Sequence, residues 1–413
     1  MLFIYRMIFI IAVIVGSPYL IIKAIWGNHG IKERLGFIRP RASGGRLFWF
    51  HAASVGELKV LSAVIPEIRR ILPDIEIAIS TTTASGKKRA LDLFGPNTIV
   101  FLQPLEINSA ILRAIENLRP EKLVLIETEI WPLLIWTAAD CNVKPYLINA
   151  RMSERSFKTY RWFRSIVGMV LGRLRLVLAQ TEADAKRFAA LGAPAPQVVG
   201  NTKFDQVFLE TASPKQALSS GGNSLIFVAG SIRRGEDRIF AEIIARSQKS
   251  DWPVFFVLVP RHMKDVDELK AKLRTRGVDF ALWSDATKSG FDSEEVLVVD
   301  TMGELTSFYR SADLAFVGGS LVPIGGHDPA EPAALGKPVI FGPHMENAGM
   351  AADLLLRSGG AEVVRDADAI IKALEIGLKN RPGLVDKGRR CRDAILAVAG
   401  VSRKIARILA EDL

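Results

Sequence analysis

The stretch "LFWFHAASVGELKV", Leu47 to Val60, decides how the fold is read. An unbroken apolar run closes at His51, as in a short strand buried on both faces of a sheet. A small-residue turn follows through Ser54-Val55-Gly56, and a lone carboxylate, Glu57, opens a helical pattern. Strand, turn and helix in this order form half of a βαβ unit, and the rest of the chain repeats that rhythm. Short, often β-branched runs recur at Ile75–Ser80, Thr98–Leu102, Lys122–Ile126, Pro145–Asn149, Leu174–Ala179 and Val198–Gly200. A second series follows at Leu225–Gly230, Val254–Pro260, Val278–Trp283, Val296–Asp300, Leu314–Gly318, Pro338–Gly342 and Ala361–Val364. Helical patterns separate most of them, which predicts α/β domains with parallel sheets.

The rhythm breaks at "ETASPKQALSSGGN", a polar Ser-, Gly- and Pro-containing stretch that reads as a linker. The expected organisation is an apolar helix over 1–27, a Rossmann-like domain over 28–206, a linker over 207–223 and a second Rossmann-like domain over 224–413. Such domains bind ligands at the carboxyl ends of their strands, so two facing each other would leave a ligand cleft. A length of 413 residues suits at least two domains. The first 26 residues carry only Arg6 and Lys23 as charges and are about long enough to span a bilayer, which takes roughly 20 residues. Lys23, Lys32, Arg34, Arg39, Arg41 and Arg46 then place the body on the cytoplasmic side. Pro18 leaves open a shorter span or a helix lying in the interface.

Lysine and arginine number 54 against 44 acidic residues, a net charge of +10, which points to an anionic partner. Two cysteines, Cys141 and Cys391, exclude a disulfide framework. There is no Walker A sequence and no G-x-G-x-x-G after the first strand, which disfavours a nucleoside triphosphatase or a dehydrogenase. The five histidines show no metal spacing, and no metal or other cofactor is expected.

The candidate site residues fall just after strands. In the first domain they are Ser54, Glu57, Glu129 in "ETEIWP", Arg151 and Ser153 in "NARMSERS", and Lys203 in "NTKFD". Glu57 either caps its helix or accepts a proton from a hydroxyl; a helix N-terminus holds it ionised. In the second domain, "GSIRRGED" carries Ser231, "VPRH" carries Arg261 and His262, and "DTMGEL" carries Met302, Gly303 and Glu304. The densest stretch is "FVGGSLVPIGGHDPAEPAALGKPVIFGPHMEN". Its glycine pairs, Gly326 among them, allow close backbone approach to a ligand. Asp328, Pro329 and Glu331 read as N-cap, N1 and N3 of a helix whose N-terminus suits phosphate. Asn347 closes the stretch. Finally, "RMSERSFKTYRWFRSIV" puts Arg151, Arg155, Lys158, Arg161 and Arg164 on one helix face, interleaved with Phe157, Tyr160, Trp162 and Phe163. With an apolar N-terminus nearby, this suits an anionic lipid surface better than nucleic acid, for which there is no motif.

With these motifs in this order, the chain resembles the 3-deoxy-D-manno-octulosonic acid (Kdo) transferases of Gram-negative bacteria over nearly its whole length. The resemblance implies a membrane-anchored GT-B glycosyltransferase at the cytoplasmic face of the inner membrane. Such an enzyme moves Kdo from CMP-Kdo to a lipid A precursor, with inversion and without a metal. It further implies Glu57 as general base, with Ser54, Glu129, Arg151 and Lys203 on the acceptor side. Arg261, Met302, Gly303, Glu304, Glu331 and Asn347 would hold the donor. A nucleotide-sugar epimerase and a non-catalytic basic membrane scaffold are the alternatives, and a transferase for another lipid-linked sugar is a closer one.

Overall fold

A computed structural model of the chain describes residues 30–41, 44–211, 224–289 and 296–412. The expected anchor over 1–27 and the linker from residue 212 onward lie outside these residues. Among the described residues no helix is long and apolar enough to cross a membrane.

The chain divides into two units. The first runs to Gln206 and includes the segment from Ala399; the second is Val207–Val398. The first holds strands β1 (Leu47–His51), β2 (Glu76–Thr81), β3 (Ile99–Leu102), β4 (Lys122–Ile126), β5 (Lys144–Ala150), β6 (Leu176–Ala179) and β7 (Gln197–Val198). They form one sheet in the order β3-β2-β1-β4-β5-β6-β7, with every pair parallel. The second holds β8 (Leu225–Ile232), β9 (Val254–Pro260), β10 (Phe280–Leu282), β11 (Val296–Val298), β12 (Leu314–Val317), β13 (Val339–Phe341) and β14 (Ala361–Val363). Their order is β10-β11-β9-β8-β12-β13-β14, again all parallel. Each strand overlaps one of the apolar runs read from the sequence.

Both faces of each sheet are covered, which is why the strands lack polar alternation. Leu47 and Trp49 enter one core and Phe48 and Phe50 the opposite one, the two-residue period of a strand. In both sheets the order reverses beside the first strand, between β1 and β4 and between β8 and β12. Loops leaving the carboxyl ends of such a pair diverge and leave room for a ligand.

Two expected boundaries are corrected. The helix Lys203–Thr211 runs into the stretch assigned to the linker, because Phe204 and Val207 fall on one buried side of it. The second domain does not keep the C-terminus. The helix Val401–Glu411 packs in the first unit against the helix Val55–Ile71, burying Val401, Ile405, Ala406 and Leu409. Asp412 then fastens the chain end. Arg175 donates to both of its oxygens at 2.9 and 2.8 Å, and the Tyr146 hydroxyl donates to Oδ2 at 2.5 Å. The buried Lys122 ammonium donates to its backbone carbonyl at 2.5 Å. These bonds hold the Asp412 carboxyl at a pKa of about 2, led by the Arg175 pairing.

Candidate active site

The first unit brings Glu57 and Glu129 together at the β1/β4 reversal. Ser54 is the N-cap of the helix Val55–Ile71, with extended backbone, and its Oγ accepts the Glu57 N–H at 3.3 Å. The Ser54 hydroxyl donates back to Glu57 Oε1 at 2.8 Å, and the Ala53 N–H donates to Oε2 at 2.7 Å. This resembles a capping box with the return bond shifted by one residue, to the N–H before the N-cap, so the capping role read from S-x-x-E is real. It does not use up the carboxylate, which has about four lone-pair sites, two of them engaged here. Glu57 is 7 % exposed. The helix N-terminus does not hold it firmly ionised as expected: burial lifts its pKa to about 7 against the pull of Ser54 and Ala53, with Glu129 and Glu127 adding like charge. A carboxyl poised near neutrality with open lone pairs can take a proton from a hydroxyl.

Glu129 follows β4. Its Oε2 accepts the Trp131 indole N–H at 2.7 Å and lies 3.7 Å from His51 Nε2. Burial works to raise its pKa, but His51 and Trp131 together leave it below the ordinary range. Two residues earlier, Glu127 takes a left-handed backbone (φ 57°) and pairs with Arg151 Nε at 2.7 Å. The Thr128 hydroxyl donates to the Arg151 carbonyl at 2.7 Å, tying the loops after β4 and β5. Ser153 is the N-cap of the helix Glu154–Trp162, its Oγ accepting the Ser156 N–H at 3.1 Å. Lys203 starts its own helix after β7, its N–H held by Asn201 Oδ1 at 2.9 Å.

The basic segment differs from the single face expected of it. Arg151 precedes the helix Glu154–Trp162, and Arg164 opens the next one after a break at Phe163. Phe157 and Tyr160 turn inward against the core. Trp162 (89 % exposed) and Phe163 (59 %) face outward among Arg155, Arg161 and Arg164.

The second unit gathers cations. Arg233 Nη1 donates to His262 Nε2 at 2.9 Å. His327 is held at a pKa of about 4, first by burial and then by Arg261, Arg233 and His262. Its Nε2 is buried without a hydrogen-bond partner. Arg233, from "GSIRRGED", and His327, which with His262 is one of two histidines the sequence places in ligand loops, join the predicted Arg261 and His262 here.

The glycine-rich loop works differently from expectation. Glu236, fully buried, accepts N–H bonds from Arg233 and Gly319 on Oε2 at 2.9 and 2.8 Å. It accepts two more from Ser320 and Leu321 on Oε1 at 3.0 and 2.9 Å. The Gly319–Leu321 amides therefore bind a carboxylate of the protein and are not open to phosphate. A Cβ on Gly318 would lie 2.4 Å from the Ser231 carbonyl, and one on Gly326 would lie 2.4 Å from Met345 Sδ. These glycines let loops pack on loops. Ser231 itself is buried in a left-handed backbone (φ 56°).

The helix expected from Asp328 starts one residue later, as Ala330–Ala334 with Pro329 at the N-cap. Asp328 still caps, its Oδ1 accepting the Ala330 N–H at 3.0 Å. Glu331 becomes the second helical residue of a helix too short to offer a phosphate site, and its charge is felt by the buried Tyr309. Asn347 closes on the same loop, donating to the Ile324 carbonyl at 3.0 Å. Met302 (64 % exposed), Gly303 (φ 85°) and Glu304 form a separate turn after β11, with Glu304 at the N-cap of the helix Leu305–Ser311. Among the described residues, no three His, Cys, Asp or Glu side chains are grouped as metal ligands.

Comparison with known proteins gives the following. The family described as 3-deoxy-D-manno-octulosonic-acid transferase (kdotransferase) matches residues 29–206. The 3-deoxy-D-manno-octulosonic acid transferase of Haemophilus influenzae is 30% identical over 92% of this chain and 90% of its own length. That of Chlamydia muridarum is 29% identical over 93% and 92%. In fold, the chain is similar to a UDP-GlcNAc 2-epimerase from Neisseria meningitidis, with a TM-score of 0.59 at 14% identity, covering 89% of this chain and 100% of that one.

Proposed function

Because this chain belongs to the 3-deoxy-D-manno-octulosonic acid transferase family and is a glycosyltransferase of the GT-B fold, we propose that it transfers Kdo from CMP-Kdo to the lipid A precursor lipid IVA. The observation that carries the reading is Glu57: a buried carboxylate with a pKa of about 7, two donors and two open lone-pair positions. In the proposed step an acceptor hydroxyl oxygen attacks the anomeric carbon of Kdo as the bond to the CMP phosphate oxygen breaks. The proton of that hydroxyl passes to Glu57, and the electron pair of the broken bond leaves with CMP. Attack opposite the leaving group inverts the centre.

Arg233 and Arg261 supply donors and positive charge for the CMP phosphate and the Kdo carboxylate, with His262 oriented by Arg233 beside them, and this charge can do the neutralising that a metal would otherwise do. The site roles read from the sequence are part of this proposal. Ser54 holds Glu57, Glu129 and Arg151 shape the acceptor side with Lys203, and Glu331, Asn347 and the Met302–Glu304 turn serve the nucleotide. Trp162 and Phe163 among exposed arginines suit an anionic lipid surface, and together with the apolar N-terminus they support work at the cytoplasmic face of the inner membrane.

The test is turnover of CMP-Kdo with and without lipid IVA, with the product weighed by mass spectrometry. Wild type is expected to release CMP only with the acceptor and to yield lipid heavier by Kdo. Glu57→Gln is expected to lose about a hundredfold or more in turnover, the scale of general-base loss, while still binding CMP. Near-normal turnover in Glu57→Gln would reduce the residue to a helix cap.

A further inference from the structure

His51 ends β1 and is fully buried. Its Nδ1 lies 2.9 Å from the Oγ of Ser80, its register partner on β2. The same Oγ accepts the indole N–H of Trp49 at 2.8 Å. Trp49 can only donate, so one lone pair of Ser80 is taken and its single hydrogen must go elsewhere. Its two possible acceptors are His51 Nδ1 at 2.9 Å and the Phe50 carbonyl at 3.5 Å. The nearer one makes Nδ1 an acceptor and leaves the imidazole hydrogen on Nε2. The opposite tautomer would aim an Nε2 lone pair at the Glu129 carboxylate 3.7 Å away, a repulsive arrangement. Nε2 has no hydrogen-bond partner of its own and is buried. The Trp131 ring stands edge-on to the imidazole at 5.8 Å and fixes its plane.

We propose that His51 is a positioning residue for the transfer reaction: held by Ser80 and Trp49, it presents Nε2–H to Glu129 and so sets the field in which Glu57 takes its proton. The inference rests on the reading of Glu57 as the base. Glu57 is faced by Glu127 and Glu129, and Glu127 has an ion-pair partner of its own in Arg151 at 2.7 Å. Glu129 is faced by His51, by the Trp131 indole and by Tyr160, whose pKa its charge helps raise. His51 is therefore the side chain that offsets the Glu129 charge from the buried side. Without it, that charge acts on Glu57 with less compensation and Glu57 holds its proton to higher pH.

The experiment compares pH–rate profiles of wild type, His51→Phe, His51→Gln and Glu57→Gln with CMP-Kdo and lipid IVA. Phe keeps a ring against Trp131 but offers no donor; Gln can return an N–H near the position of Nε2. The acidic limb of His51→Phe is expected about half a unit or more above wild type, with His51→Gln restored toward it. A buried residue that only fills space would tolerate Phe better than Gln and shift neither limb. If the His51→Phe limb coincides with wild type while Glu57→Gln is inactive, the inference fails and the base assignment stands. Turnover retained in Glu57→Gln overturns both. Should His51→Phe not fold, the ¹⁵N imidazole signals of the wild-type protein decide. Protonated Nε2 with accepting Nδ1 supports the arrangement, and the Nδ1–H tautomer overturns it.

Discussion

Glu57→Gln should make the protein less active and more stable, and the gain in stability should depend on pH. The Glu57 carboxyl is raised from 4.5 to about 7 in the fold. Its folded pKa lies above its unfolded one, so the native state binds this proton more tightly than the unfolded chain does. Below about pH 4 both states hold the proton and Glu57 costs nothing. As pH rises from there through 7, the folded state is forced to ionise a buried acid and stability is lost. A shift of this size corresponds to at most about 3 kcal/mol. Solvent entry and the coupling to Glu127 and Glu129 reduce this, and about 1–2 kcal/mol is the working expectation. Glutamine is neutral throughout and keeps the cap: its oxygen can take the Ala53 N–H, and its amide can donate to Ser54 Oγ. Calorimetry should therefore find wild type and variant melting alike near pH 4. At pH 8 the variant should melt several degrees higher, at about 2–4 °C per kcal/mol for a domain of this size. A variant that melts lower than wild type by the same margin at both pH values would show that the carboxylate stabilises the fold as a cap, and the reasoning would be wrong.

Glu236→Gln should have the opposite sign, because a single amide oxygen cannot serve four N–H donors and the amide would face two of them; a loss of about 2–4 kcal/mol is expected in the melting of the second unit. Leu409→Ala should cost about 2–5 kcal/mol; hydrogen exchange should quicken in the helix Val55–Ile71, since Leu409 is fully buried in the first unit's core. Protection lost from the second unit instead would contradict the packing. Asp412→Ala should matter less than Leu409→Ala, because its leading partner, Arg175, is exposed. That part of the wild-type stability should fade as acid takes the pH from about 4 down through 2, the window set by the lowered Asp412 carboxyl.

The strands were legible because parallel sheets bury both faces and leave unbroken apolar runs; even the two-residue β7 lies where Val198 begins one. The return of the C-terminal helix to the first unit was not legible, because amphipathic spacing at Val401, Ile405 and Leu409 says that a helix has a core-facing side but not which core. The acid at Glu57 could be read as a cap or as a base, and the geometry makes it a cap with capacity to spare. His51 was passed over among five histidines without metal spacing. The available signal was its place two residues after Trp49 on a buried strand, on the Trp49 side and across from Ser80. The glycine-rich loop misled for a definite reason: amides that could bind phosphate bind whichever anion the fold supplies, and Glu236, distant in sequence, supplies it.

Glu57 and Glu236 make an informative pair. Each follows the first strand of its sheet, lies near the start of the next helix and sits beside the point where strand order reverses. Burial raises both carboxyls. What separates them is the accounting of donors. Glu236 receives four backbone N–H groups, which fill its acceptor sites and fix the loops after β8 and β12, so it has nothing left to offer a substrate. Glu57 receives one N–H and one hydroxyl and has two further carboxylates for neighbours. It is under-satisfied and electrostatically crowded, and a proton relieves both conditions. The same fold position thus yields a structural anion in one unit and a proton acceptor in the other, with the difference set by how many donors the surrounding loops direct at the acid.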